Sequence, residues 1–300
     1  DGICYYHHQM NRLDNGHYMI LGNEPALCKM PTANESKLQV LKYDQATYEK
    51  GSGAYKKIHL GTVIEYDEKG NVVWSWKSSD YFLSSDIEYY RNTAAFGNNV
   101  IDVHENAFYF DEQNKVVYVS FKKLNRILKI SYPDGKVLAV FGDHFDKNGQ
   151  KINKNSFFCA QHFCFPLQNG NILIYNNNSC QPGAVPQIIE FKVNQNTGDN
   201  LEKVWEYNCG HNDGVVGDDF VFSWESGGSA RVLPDNSIFA CLGGNYDKLL
   251  IIDKKKGVQW SALPETFSKK ENKWVPATGY RAFFLGGRKE LENLIWNEGK

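Results

Sequence analysis

The sequence has 300 residues, of which 42% are hydrophobic and 14% aromatic, and its formal net charge is −2. This composition can build the core of one large β domain or of two ordinary domains. The low net charge and the lack of a long basic run argue against a nucleic-acid surface, and no apolar stretch approaches the roughly 18 residues that a membrane span needs.

The chain contains four copies of one sequence motif, here called the phrase, which begin at His8, His104, His162 and Ser229. Three of the four copies begin with a histidine. A structural repeat that also repeats a reactive side chain predicts that these histidines converge on one axis.

Each phrase is followed by a second hairpin, with alternating apolar residues around a turn such as Asp-Gly or Lys-Gly. In chain order these second hairpins cover residues 63–74, 127–138, 188–205 and 249–260. Two successive hairpins make a four-stranded sheet, so the sequence predicts four blades of a β-propeller.

The remaining segments complete an all-β prediction. Residues 76–100 are expected to cross one face of the propeller, with a Tyr-rich part compatible with a short helix, and residues 147–155 and 194–200 to form surface loops. Residues 279–284 are predicted to be a final strand that closes the ring. We therefore expect a single β-propeller domain over residues 1–300. Because the chain begins at Asp1 rather than Met, we expect a signal peptide, or a longer N-terminal part, to be missing.

The seven cysteines include no C-x-x-C pair, so zinc-ribbon spacing is absent. Cys159 and Cys164 bracket His162 and are one candidate disulfide pair. Buried free thiols are the alternative for each cysteine.

The innermost strands of a propeller begin at its central channel, so His8, His104 and His162 are expected to meet there, with Lys122 nearby. Such a site suits an anionic substrate: one histidine attacks, another moves a proton, and the lysine stabilises negative charge. Purely structural histidines and a three-histidine zinc site are the alternatives. The other histidines, which include His59, are predicted to lie in turns or loops without a role.

Five short segments, in this order along the chain, carry a resemblance to a known family: His7-His8, Asp102-Val-His104-Glu-Asn106, Val119-Ser-Phe-Lys122, Gln161-His162 and Tyr280-Arg-Ala282. The chain resembles the bacterial arylsulfate sulfotransferases, the nucleotide-independent type built on a six-bladed β-propeller. The resemblance extends over essentially all 300 residues.

The resemblance implies a ping-pong reaction without a metal or cofactor, in which a phenolic sulfate ester sulfates a histidine and a second phenol accepts the group. By motif position His162 would be sulfated, while His104 and His8 would flank the sulfuryl group and handle the proton. Asn106 and His7 would bind substrate. The partners implied are phenols and aryl sulfates, and the implied location is the periplasm or the cell exterior.

Two departures from the family pattern keep other hypotheses open. Lys122 stands where the family has an arginine, which retains the charge but loses the planar fork of donors. The family's N-terminal β-sandwich domain is not seen before the first phrase, so the chain is either a shorter branch or a fragment. A non-catalytic propeller that binds a partner or a glycan is the second hypothesis, and a metal-dependent hydrolase that uses the histidines as ligands is the third.

Overall fold

A computed structural model describes residues 5–29, 39–41, 55–83, 86, 100–144, 150, 157–180, 182–194, 201–210, 213–214, 226–244 and 247–284. The chain divides into two compact units, Asp1–Asn208 and Cys209–Lys300, and each is described by itself. The single domain over residues 1–300 stays a prediction. Among the described residues no helix is long and apolar enough to cross a membrane.

Within the described residues the first unit contains three sheets, which are antiparallel apart from one parallel pair in the first. The first sheet has the order β1-β2-β4-β5. Strand β3 pairs with the C-terminal end of β2, and β6 pairs in parallel with β4. The strands are β1 (Tyr5–Arg12), β2 (Tyr18–Lys29), β3 (Gln39–Leu41), β4 (Tyr55–Tyr66), β5 (Val72–Lys77) and β6 (Val100–Asp102).

The second and third sheets each have four strands in chain order. The second consists of β7 (Glu105–Asp111), β8 (Val116–Phe121), β9 (Arg126–Ser131) and β10 (Val137–Gly142). The third consists of β11 (Phe163–Pro166), β12 (Ile172–Asn176), β13 (Gln187–Val193) and β14 (Leu201–Asn208).

The described part of the second unit contains one four-stranded antiparallel sheet and a separate hairpin. Its sheet consists of β15 (Ser229–Val232), β16 (Ile238–Leu242), β17 (Lys248–Ile252) and β18 (Val258–Ala262). The hairpin consists of β19 (Glu265–Ser268) and β20 (Lys273–Pro276).

Strand β8 shows why the sheets of the first unit pack face to face. All six of its residues are buried, and successive side chains of a strand point to opposite faces. Val117 and Val119 belong to the core shared with the first sheet, while Val116 and Tyr118 belong to the core shared with the third. The second sheet therefore lies between its neighbours in chain order, as a blade of a propeller does.

The four predicted hairpin pairs are confirmed as four-stranded antiparallel arrangements, whereas the six-blade count and the closed ring stay predictions. The predicted closing strand is wrong. Its residues Tyr280 and Ala282 accept hydrogen bonds from Gly228 N and Ser229 Oγ at 2.8 and 3.1 Å, but they form no ladder. Most of the segment 76–100 and of the two predicted loops lies outside the described residues.

Candidate active site

His8 and His104 come together at the start of the first two sheets. Their ring centroids lie 5.1 Å apart. Both residues have positive φ angles, 61° and 55°, which few non-glycine residues adopt. In β1 the register also shifts between His7 and Met10, so the strand is irregular where it carries His8. Strained backbone of this kind is often found at functional sites, and here it accompanies the convergence of two imidazoles.

Asp102 orients His104. Its carboxylate accepts a hydrogen bond from the His104 backbone N at 2.8 Å and lies 2.9 Å from His104 Nδ1. Burial works to raise the pKa of Asp102, but the hydrogen bonds and charge of His104 outweigh it and lower that pKa. An ionised Asp102 keeps the proton of a neutral His104 on Nδ1, and the lone pair is then on Nε2.

His59 belongs to the same cluster, contrary to the prediction that it lies in a turn or loop. It is part of β4, opposite Asp102 in the ladder between β4 and β6. Its Nδ1 lies 3.0 Å from Tyr5 Oη, and burial lowers its pKa, although the charge of Asp102 works against this. No periodicity in the sequence pointed to His59, because it lies outside the four phrases.

Glu105 is the buried acid of this cluster. Its Oε1 lies 2.8 Å from His7 Nε2, and 1% of its side chain is exposed. Burial raises the pKa of Glu105 to about 7, against the opposing effect of His7. The other nitrogen of His7, Nδ1, contacts His8 Nδ1. His7, predicted to bind substrate, therefore connects a buried carboxyl group to His8.

His162 lies at the start of the third sheet and is held through Nδ1. This nitrogen is 2.6 Å from Asn177 Oδ1 and 3.1 Å from the carbonyl oxygen of Ala160. Since both neighbours are acceptors, Nδ1 carries the hydrogen and Nε2 carries the lone pair. Only 1% of His162 is exposed. Asn177 was missed by the sequence analysis, although it follows β12 in the phrase that begins at His162.

Asn106 and Lys122 connect the second sheet to both histidine positions. The Asn106 side chain is buried and donates to the backbone oxygen of Gln161, the residue before His162, at 2.7 Å. The Lys122 backbone N donates to His104 O at 2.9 Å. The structure thus places the backbone of Lys122 beside His104 and bonds Asn106 to the segment that leads into β11 and carries His162.

Arg126 does not replace the arginine that the family has at the position of Lys122. Arg126 is four residues after Lys122, but it is buried and its Nη2 lies 2.7 Å from Asp86 Oδ1. Its Nε donates to the carbonyl oxygen of Asp143 at 2.6 Å. Arg126 is therefore engaged with Asp86 and Asp143, and Lys122 stays the anion-binding cation that the sequence predicts.

The disulfide prediction is wrong in its pairing. Cys159 is bonded to Cys180, whereas Cys164 is a free thiol on β11 and is buried in the core. A strand directs successive side chains to opposite faces, and that of Cys164 faces inward. The disulfide connects the segment before β11 to the segment after β12, and these carry Ala160 and Asn177, the two residues that hold His162.

No group of three His, Cys, Asp or Glu side chains within the described ranges is arranged to hold a metal ion. The sheets and the site together define an all-β protein with two neighbouring imidazoles, one of them fixed by a carboxylate. The family model for Arylsulfotransferase (ASST) matches residues 30–215, more than half of the chain, so this chain belongs to the arylsulfotransferase family. The matched range includes His104, Lys122 and His162, while His8 precedes it.

No curated protein matches the sequence. Among solved structures, a protein of unknown function from Bacteroides caccae is 11% identical, with a TM-score of 0.42, over 86% of this chain and 82% of that one. A putative 6-phosphogluconolactonase from Bacteroides uniformis is 11% identical, with a TM-score of 0.40, over 90% of this chain and 77% of that one. A second putative 6-phosphogluconolactonase, from Bacteroides fragilis, is 12% identical, with a TM-score of 0.36, over 92% of this chain and 70% of that one.

Proposed function

We propose that this protein transfers a sulfuryl group from a phenolic sulfate ester to a phenol by a ping-pong mechanism through a sulfated His162. Family membership supports the reaction class. The observation that supports His162 as the nucleophile is the position of its Nδ1 between Asn177 Oδ1 and Ala160 O, while the choice of His162 over His104 rests on its position in the family motif. A histidine held in this way presents Nε2 as its nucleophilic nitrogen.

In the first half-reaction, His162 Nε2 attacks the sulfur atom, a nitrogen–sulfur bond forms, and the bond from sulfur to the phenolic oxygen breaks. The departing phenolate takes a proton from His8 Nε2, or from the adjacent His104 when that residue is an imidazolium. Lys122 offsets the charge on the sulfuryl oxygens, as a point charge rather than a bidentate donor.

In the second half-reaction, the acceptor phenol gives its proton to the same histidine pair, and its oxygen attacks the sulfur atom of sulfo-His162. The nitrogen–sulfur bond breaks and His162 is regenerated. The proton released in this half-reaction equals the one consumed in the first, so the cycle needs no outside acid, metal or cofactor.

The 1% exposure of His162 sets a condition on this proposal. The side chain has to be uncovered before it can meet a bulky aryl sulfate, so we expect neighbouring residues to move when the donor binds. The same burial favours a second candidate function, a non-catalytic propeller that binds a partner or glycan, in which His162 is a structural residue held by Asn177.

The deciding experiment combines the chelator-treated protein with 4-nitrophenyl sulfate and a phenol acceptor, and compares wild type with His162→Ala. His17→Ala is the matched control, because His17 pairs with Glu65 away from the cluster. We expect acceptor-dependent release of nitrophenol in wild type and control, no release in His162→Ala, and one added sulfuryl group by intact mass when the acceptor is omitted. Wild type that stays folded but is neither active nor sulfated would favour the binding function, and activity lost on chelation would favour the hydrolase.

We also propose that the protein works in the periplasm or outside the cell. The Cys159–Cys180 disulfide supports this, because such bonds persist in oxidising compartments. Fractionation of the native host, followed by detection of the protein with an antibody, tests the location, and recovery in the cytoplasmic fraction would contradict it.

A further inference from the structure

We propose that Glu105 and His7 form a proton relay that sets which nitrogen of His8 carries a hydrogen in each half-reaction. The inference rests on the proposed sulfuryl transfer and assigns roles to two positioning residues behind His8. It is carried by three neighbouring groups: Glu105 Oε1 lies 2.8 Å from His7 Nε2, and His7 Nδ1 contacts His8 Nδ1.

The contact between the two Nδ1 atoms makes the protonation of His7 and His8 interdependent. A hydrogen bond between them needs one donor and one acceptor. When His7 is an imidazolium, its Nδ1 donates to His8 Nδ1, and His8 carries its own hydrogen on Nε2. When His7 is neutral with its hydrogen on Nε2 toward Glu105, His8 Nδ1 donates, and His8 Nε2 has a lone pair.

These two states match the two half-reactions. In the first, His8 Nε2–H gives its proton to the departing phenolate while His8 Nδ1 takes one from His7, which leaves His7 neutral beside ionised Glu105. In the second, the acceptor phenol's proton goes to His8 Nε2, and the hydrogen on His8 Nδ1 returns to His7. One proton leaves the relay and one returns to it.

The surroundings of Glu105 suit this role. Its side chain is 1% exposed, and among the described residues neither Oε1 nor Oε2 accepts a hydrogen bond of good geometry, although Oε1 lies 2.8 Å from His7 Nε2. A Cβ atom at Gly61 of β4 would overlap the carboxylate, so the glycine makes room for it. The charged or titratable groups that act on Glu105 are His7 from β1 and Asp102 from β6, and its ladder partner on β8 is the uncharged Phe121. With a pKa raised by burial to about 7, Glu105 is ionised in part of the molecules near neutral pH, and the relay operates in those molecules.

Glu105→Gln tests the relay because it keeps the shape but cannot stabilise a His7 imidazolium. Glu65→Gln is the matched control, since Glu65 is also buried and lies 2.7 Å from a histidine nitrogen, that of His17. Each variant is assayed with phenyl sulfate, whose phenolate needs a proton on leaving, and with 4-nitrophenyl sulfate, whose phenolate hardly needs one.

We expect Glu105→Gln to reduce kcat about 100-fold with phenyl sulfate, the lower end of the range for general acid catalysis, and much less with 4-nitrophenyl sulfate. In the pH–rate profile, the rise in rate that accompanies ionisation of Glu105 near neutral pH should disappear in this variant. An equal loss with both donors, or a wild-type profile, would overturn the relay, because a merely structural defect does not depend on the leaving group.

A second measurement separates failure of the relay from failure of the proposed function. In wild-type protein labelled with ¹⁵N-histidine, the signals of His7 and His8 should shift together as the pH is varied, and Glu105→Gln should abolish that joint titration. Independent titration of the two imidazoles overturns the relay even if the enzyme is active. Joint titration in a protein that forms no sulfo-His162 supports the proton pair and refutes only the sulfuryl transfer. Since this result comes from wild type, it stands if the variant does not fold.

Discussion

Asn177 Oδ1 lies 2.6 Å from His162 Nδ1, although the two residues are fifteen positions apart in the sequence. They flank the hairpin of β11 and β12, whose ladder fixes the distance between its ends. The Cys159–Cys180 disulfide brackets the same two segments. The tautomer of the proposed nucleophile thus depends on the hairpin as a whole rather than on the strand that carries it.

The first prediction concerns this contact. Asn177→Ala removes the nearer of the two acceptors at Nδ1 and leaves the Ala160 carbonyl oxygen, so Nδ1 is less firmly fixed as the protonated nitrogen. We expect kcat to fall about tenfold, the rate equivalent of one hydrogen bond. Asn177→Asp keeps an acceptor at the same position and should retain more activity than Asn177→Ala. Steady-state kinetics with an aryl sulfate measures both, and wild-type kcat in Asn177→Ala would contradict the role of the contact.

The second prediction concerns the disulfide. Peptide mapping without reduction should recover the peptides of Cys159 and Cys180 joined, and Cys164 should react with an alkylating agent only after denaturation because it is buried. Cys159→Ser removes a disulfide that joins residues 21 positions apart, and we expect the free energy of unfolding to fall by about 3 kcal/mol. Denaturant titration measures this, and recovery of a joined Cys159–Cys164 peptide would overturn the pairing.

The third prediction concerns the ion pair of Arg126 and Asp86, whose side chains are 1% and 5% exposed. Asp86→Ala leaves a buried guanidinium without its carboxylate, which we expect to destabilise the fold by about 3–5 kcal/mol. Lys203→Ala breaks the exposed pair with Glu206, where Lys203 is 52% exposed, and should cost less than about 1 kcal/mol. Similar urea midpoints for the unfolding of Asp86→Ala and Lys203→Ala would contradict a stabilising role of the buried ion pair.

The strand pattern was predictable because alternation has a period of two and because the same phrase recurs. Strands β1 and β2 and most of their counterparts in the other three sheets fall on the four phrases, whereas β8 lies beyond the second phrase, which ends at Asp111. The hairpin of β19 and β20 was missed because it belongs to no repeat. The segment Tyr280–Ala282 alternates weakly and lies beside β15 without forming its own ladder, so its apolar character was mistaken for a strand.

The candidate site was predictable only in part. His8 and His104 could be found because the repeat marks them, but Glu105 and His59 could not, because a buried carboxyl group and a strand histidine carry no signature of their own. Their roles arise from pairing between strands distant in sequence, such as His59 opposite Asp102. The disulfide was missed for the same reason, since the proximity of Cys159 to Cys180 depends on the β11–β12 hairpin.

The fourth prediction concerns how stability changes with pH through Glu105. Its pKa rises from the ordinary 4.5 to about 7 in the folded state, because burial disfavours the carboxylate. Between these two values the folded state holds the proton more tightly than the unfolded state, so the free energy of unfolding should fall as pH rises, by about 3 kcal/mol in total. Asp102, whose pKa is lowered, acts with the opposite sign and at more acidic pH. Urea titrations of wild type and Glu105→Gln at several pH values measure the difference. We expect the variant to lose the downward slope between about pH 4.5 and pH 7, and parallel curves for the two proteins would contradict a buried, proton-holding Glu105.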